Sequence, residues 1–198
     1  MTKLTLQKNT ENYVSNLFLE ANTSGLFYHD FNHTLSVVDA VTTIAEAIKL
    51  TEKEKDILTV AAWFHDTGYL YTRTEHEALS IRIVKSALNP NYLSLTEAVT
   101  TCIAATKVGQ TPQSDLAALL KDADIAFGSA YNFLHTNNAY REELRITENK
   151  TFDDTTWYKM SLNFLENVTF FSAYGQQHFA PLVKRNLERY KSEKPDNS

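Results

Sequence analysis

The chain has 198 residues, a net charge of −5, 43% hydrophobic and 12% aromatic residues, which suits one globular domain with a sizeable core. Apart from a short basic cluster near the C-terminus, its Lys and Arg are scattered, which argues against a nucleic-acid partner, because such binding needs clustered cations. One cysteine excludes an internal disulfide, no apolar run approaches the ~20 residues of a membrane span, and MTKLTLQKNT lacks a signal region, so a cytoplasmic protein without a membrane partner is expected.

Glycine (5) and proline (4) are scarce. No segment joins strict apolar alternation to hairpin residues, so the expected class is all-α, a single-domain helical bundle of roughly eight helices. Residues 3–22 read as a first helix carrying Leu4, Tyr13, Leu17 and Phe18. The loop NTSGLFYHDFNH leads to a helix over Thr34–Leu50, where Leu35, Val38, Val41, Ile44, Ala45 and Ile48 follow helical spacing. A Ser/Thr-x-x-Glu pattern, whose side chains satisfy free backbone N–H groups, marks three further starts: Thr51 with Glu54, Thr74 with Glu77, and Ser94 with Glu97. Gly68 and Asn89-Pro90 mark stops. Further helices fit 114–127, 129–146, 155–172 and 176–191. Residues 1–25 are expected to pack on the core, 131–192 to complete the same domain, and 193–198 to form a frayed tail.

The stretch WFHDTGY places His65 and Asp66 at the end of a helix over 52–67, whose run ILTVAAWF leads into the interior. An ionised Asp buried there without a partner would cost several kcal/mol or become neutral. A metal removes that cost, because imidazole nitrogen and carboxylate oxygen suit Zn, Mn, Fe or Mg. The other reading is a helix end where His65 meets the last carbonyls and Asp66 caps the turn. Adjacent helical residues point about 100 degrees apart, so an ion between these two needs ligands from other helices. Upstream, YHDFNHT offers His29 and His33, one turn apart if helical. Downstream, LKDADIA carries Asp122 and Asp124, about 200 degrees apart on a helix, so one of them faces the core. Leu120, Ile125 and Phe127 do not decide which.

The ordered set His33, His65-Asp66, Asp124 resembles the HD-domain superfamily of metal-dependent phosphohydrolases. YHDFNHT is similar to the family's Tyr-His-x-x-x-His-Thr entry, and AAWFHDTGY to its apolar-His-Asp-x-Gly-Tyr core. IAATK followed by LKDADI resembles the helix before the last ligand and the Asp-Ala-Asp-Leu segment that carries it. The resemblance covers residues 26–130 and implies an HD metal-binding core there. It implies one divalent ion (Mn, Mg, Fe, Co, Ni or Zn) held by His33, His65, Asp66 and Asp124, with Asp122 on the helix surface or behind the ligands.

The implied activity is hydrolysis of a phosphomonoester or phosphodiester of a nucleotide or similar small molecule. A bound ion polarises the phosphoryl oxygen and lowers the pKa of its water from 15.7 toward ~7, which makes metal-bound hydroxide the nucleophile. His29 is the candidate general acid or electrostatic partner, because its spacing from His33 can place it beside the site and related phosphodiesterases use a histidine at the matching position. Asp66 and Glu77 join it as catalytic candidates, and Lys107 as a group to neutralise a phosphate. The family often carries an acidic or His-Glu element near His76-Glu77 that orders water or binds a second metal, which makes this the place for either. Glu77 also has a structural use in the pattern with Thr74. Arg141 is expected in a helix-surface ion pair, and His135 and His178 in packing or surface positions.

Two alternatives stand beside the hydrolase. A dinuclear-iron HD oxygenase uses additional histidines between the His-Asp pair and the last Asp, where this chain has His76 alone. A non-catalytic nucleotide- or metal-binding sensor would keep the ligands without turnover. Phe164, Phe170, Phe171 and Tyr174 are open to two uses, closing the core or pairing two copies as a homodimer.

Overall fold

The computed structural model describes residues 3–88 and 93–193, with side chains from residue 6. All regular structure among these residues is helical: α1 Lys3–Glu20, α2 Phe31–Ala47, α3 Glu52–Phe64, a 3-10 turn Thr67–Leu70, α4 His76–Ala87, α5 Leu93–Thr106, α6 Asp115–Ser129, α7 Phe133–Glu148, α8 Asp154–Asn167, α9 Ala173–His178 and α10 Ala180–Ser192. Ten α-helices thus replace the eight or so expected. The span 176–191 divides at Phe179, where Pro181 sits at the start of α10 and favours a new helix over a continued one. Leu4 lies outside the described side chains and Asn89-Pro90 outside the described residues.

Local chemistry accounts for most boundaries. Asp30 N-caps α2 by accepting from His33 N at 2.8 Å, so this helix begins three residues earlier than its apolar periodicity suggests. Thr51 and Glu54 close the expected reciprocal cap on α3. The pattern at Thr74 does not: α4 starts after Glu75, which is left-handed (φ 56°) and makes no side-chain cap. Ser94 lies inside α5 rather than at its cap. Gly68 stands in the 3-10 turn beyond α3, which ends at Phe64.

Helices α2, α3, α5 and α6 pack on one another, with α4 against α5 and the 3-10 turn. Val37, Val41, Leu58, Ala61, Val99, Ile103, Leu120 and Ala126 fill the space between them. Trp157, Leu165, Phe170, Phe179 and Tyr190 from the C-terminal helices belong to the same core. Phe170 is therefore interior, whereas Phe164 and Phe171 remain exposed. Among the described residues, no helix is long and apolar enough to cross a membrane.

Candidate metal centre

The end of α3 explains how a histidine and an aspartate come to be buried side by side. The last carbonyls of a helix lack intrahelical donors. Two of them are met locally: His65 Nδ1 bonds to Ala62 O at 2.7 Å, and Thr67 Oγ1 donates to Phe64 O at 2.9 Å. Because a carbonyl only accepts, the first of these bonds puts a proton on Nδ1 and turns Nε2 inward. His65 thus serves the helix end with one ring nitrogen and turns the other to the interior, whereas Asp66, expected on the helix-end reading to cap the turn, makes no side-chain cap.

That inner nitrogen meets groups from two more helices. His33, in the first turn of α2, brings its Nε2 to 3.0 Å from His65 Nε2 and 3.0 Å from Asp66 Oδ2. Asp124 on α6 brings Oδ1 to 3.4 Å from His33 Nε2 and 3.8 Å from His65 Nε2. The four donor atoms lie within 4.8 Å of one another. Helix phase decides between the two acids of α6. Asp124 turns toward α2 and α3, and Asp122 turns away.

Of the two places expected for Asp122, the helix surface or behind the ligands, the first is corrected: this carboxylate is fully buried. It accepts from Phe171 N and Ser172 N, each at 2.8 Å, and from Ser172 Oγ at 2.6 Å. A buried carboxylate needs such donors, and here they fasten the chain just before α9.

The cluster attracts positive charge. Burial by itself would lower the His33 imidazole, but hydrogen bonds to Asp124 and Asp66 outweigh it and raise the ring to about 10. His65 is raised as well, with burial opposed mainly by Asp66. Asp66 is held well below the usual carboxylate range, because the histidine charges and hydrogen bonds overcome its burial. Two imidazoles and two carboxylates around one point, three of them buried, match the donor set of a divalent first-row ion. His33 Nδ1 has no hydrogen-bond partner. Its ring is held instead by a stack on Tyr28 (centroids 5.4 Å apart) and an edge contact with Phe127 (4.6 Å).

Asp66 also has a second face. His76 Nε2 lies 3.5 Å from its Oδ1 and 3.4 Å from Glu77 Oε1. His76 Nδ1 is 3.1 Å from Arg73 O, which again turns Nε2 toward the acids. Glu77 is buried and free of the cap with Thr74. Gly68 lets this arrangement close. A Cβ there would overlap the His76 carbonyl oxygen, and Gly68 N donates to Ser80 Oγ at 2.8 Å.

His29 stands before the N-cap of α2, outside the helix, yet its ring centroid is 5.8 Å from that of His33. Its Nδ1 is 2.5 Å from Glu143 Oε1. Glu143, fully buried on α7, also accepts through Oε2 from the backbone N–H groups of Phe27, Tyr28 and His29, and through Oε1 from Arg73 Nη2 at 2.9 Å. Although burial opposes ionisation, these donors hold its carboxyl at about 2. Tyr69 lies between the rings of His29 and His76, 3.8 Å from each centroid.

A cavity of about 620 Å³ opens over Asp66, Asp124, His29, His76 and Glu77. Its far wall includes Phe164, Val168 and Phe171, and Lys121 lines it from α6. A second cavity of about 590 Å³ meets the first at Tyr28 and contains none of the four clustered donors. Lys107 is not brought to the cluster. It pairs in solvent with Glu75 at 2.6 Å. Arg141 makes its expected surface pair, with Asp154 at 2.8 Å, and His178 packs on Tyr174.

Glu143 and Lys121 were not legible as site residues. Glu143 sits in YREEL among other charged residues, and its one signal is its place seven residues after buried Thr136, on the inward face of α7. Lys121 carries the matching signal, one helical turn before Asp124.

An all-α protein with a histidine–aspartate cluster gathered from α2, the end of α3 and α6 defines the class. The family model for the HD domain matches residues 30–126, and the chain belongs to the HD-domain superfamily. No curated protein and no solved structure gave a match.

Proposed function

We propose that the protein is a metal-dependent phosphohydrolase acting on a small phosphate ester, with a nucleotide as the favoured type. The observation that carries this reading is the convergence of His33, His65, Asp66 and Asp124 on one point at the floor of a cavity sized for a small molecule. We assign those four as ligands of a divalent ion. Asp66 Oδ1, His76 and Glu77 are suited to a second ion, or to orienting water where only one is bound. An ion held there would supply Lewis acidity toward the phosphoryl oxygen and acidify bound water.

The chain's own groups divide the remaining work. Glu143 takes the Nδ1 proton of His29 as a hydrogen bond, which leaves Nε2 to serve the cavity. His29 is then placed to donate a proton to the leaving oxygen, and the ionised Glu143 stabilises the imidazolium before that transfer. Tyr69 fixes the planes of both His29 and His76 by stacking.

The test is a screen of nucleotides and other phosphate esters with Mn, Mg, Co, Ni, Fe or Zn, alongside Asp66→Ala. Phosphate release is expected with at least one metal, and the variant should lose both metal content and hydrolysis. Hydrolysis retained by the variant would overturn the assigned centre. Tight nucleotide binding with no release in any metal would make the protein a sensor. Two irons per chain with a matching visible spectrum would favour oxygenase chemistry instead.

A further inference from the structure

Lys121 is the one lysine or arginine among the described residues that line the cavity. It lies one turn before Asp124 on α6, so both side chains reach the same face. The residue is 5% exposed. Its Nζ donates to Ala105 O at 2.7 Å and to Lys107 O at 2.8 Å, at the C-terminal end of α5. An ammonium has three protons, so one is left over after both carbonyls are served.

A cap for α5 does not by itself explain this lysine. Beyond α5 the chain is exposed from Val108 to Thr111, so water could meet the Lys107 carbonyl, and the buried Ala105 carbonyl alone would need a protein donor. Burying an ammonium for that purpose costs free energy that solvent would not. The cavity supplies the reason. Asp66, Glu77 and Asp124 line it with carboxylates, which repel an anionic ester. A fixed cation on the same wall opposes that repulsion. Lys107, the cation expected for this work, is engaged with Glu75 outside.

We propose that Lys121 Nζ anchors a non-bridging oxygen of the substrate's phosphate through its remaining N–H. This rests on the reading that the cavity takes a phosphate ester. Two carbonyls hold the ammonium in place before substrate arrives, and burial strengthens its bond to an anion.

The experiment uses the full chain loaded with Zn, and inorganic phosphate as the probe. Calorimetry compares wild type, Lys121→Met and Lys121→Arg, with Zn content and thermal denaturation measured on each. Lys121→Met should weaken phosphate binding about tenfold or more with Zn content unchanged, whereas Lys121→Arg should stay within about threefold, as expected for a charge-assisted hydrogen bond. Equal phosphate affinity in Lys121→Met and wild type overturns the proposal. So does an equal loss in both variants, which would mark a packing role, and so does a wild type that binds no phosphate.

Should Lys121→Met fail to fold, the Nζ resonance of the wild-type residue decides, identified by its absence from Lys121→Arg. It should move on phosphate titration, and a stationary signal overturns the proposal. Phosphate binding needs no turnover, so the two readings fail separately. Lys121-dependent phosphate binding without hydrolysis of any ester removes only the hydrolase. Hydrolysis with phosphate binding indifferent to Lys121 removes only the anchor.

Discussion

Glu143 Oε1 lies 2.5 Å from His29 Nδ1, across 114 residues of chain. One buried carboxylate on α7 thereby holds the loop before α2, the imidazole beside the histidine–aspartate cluster, and the guanidinium of Arg73. The C-terminal helices, which lie beyond the family match, are thus wired into the centre that the match contains.

This network has a pH signature. The Glu143 carboxyl is held at about 2, against 4.5 for a free side chain. A lowered folded-state pKa contributes stability that is complete above the unfolded value and vanishes as pH falls through the folded one. The contribution, about 3 kcal/mol at neutral pH from a shift of this size, should therefore fade between roughly pH 4.5 and 2. Urea denaturation of wild type and Glu143→Gln across that range measures it. The stability gap should be widest at neutral pH and shrink as acid is added. A gap independent of pH would show that Glu143 acts by packing alone.

Gly68→Ala should disturb the centre without changing any of its donor side chains. The added methyl group overlaps the carbonyl oxygen of His76, so α4 must move away from the 3-10 turn. Overpacking of this kind costs about 1–3 kcal/mol. Thermal denaturation should show that loss, and any metal bound through His76 and Glu77 should weaken more than one bound through His33 and His65. Unchanged stability would mean that the turn accommodates the methyl group freely.

Cys102 should be inert in the native protein. It is 1% exposed on α5, and burial pushes its thiol up to about 12, so thiolate is scarce at neutral pH. A thiol-reactive disulfide reagent should label it only after denaturation. Rapid stoichiometric labelling of the folded chain would contradict the packing of α5 against α3 and α6.

Much of this protein is written in local order. Helical spacing in Leu35–Ile48, the reciprocal cap of Thr51 with Glu54, and scarce glycine and proline suffice for an all-α chain, because each acts within one or two turns. The convergence of His33, His65, Asp66 and Asp124 was legible for a different reason, since their types and order resemble the pattern of a family whose model matches residues 30–126. Tertiary structure decided the rest. Asp122 and Asp124 are equally acidic and two residues apart; only the helices on either side of α6 send one to the loop before α9 and the other to the cluster. Thr74 and Glu77 match a cap that Glu75's left-handed turn prevents, which frees Glu77 to meet His76. Lys107 and Lys121 are both lysines near the end of α5, yet exposure pairs one with Glu75, while the other is buried along the cavity wall. Glu143 looks like a surface acid until the chain folds, because its partners lie in another helix's approach and a burial cost appears only once water is gone.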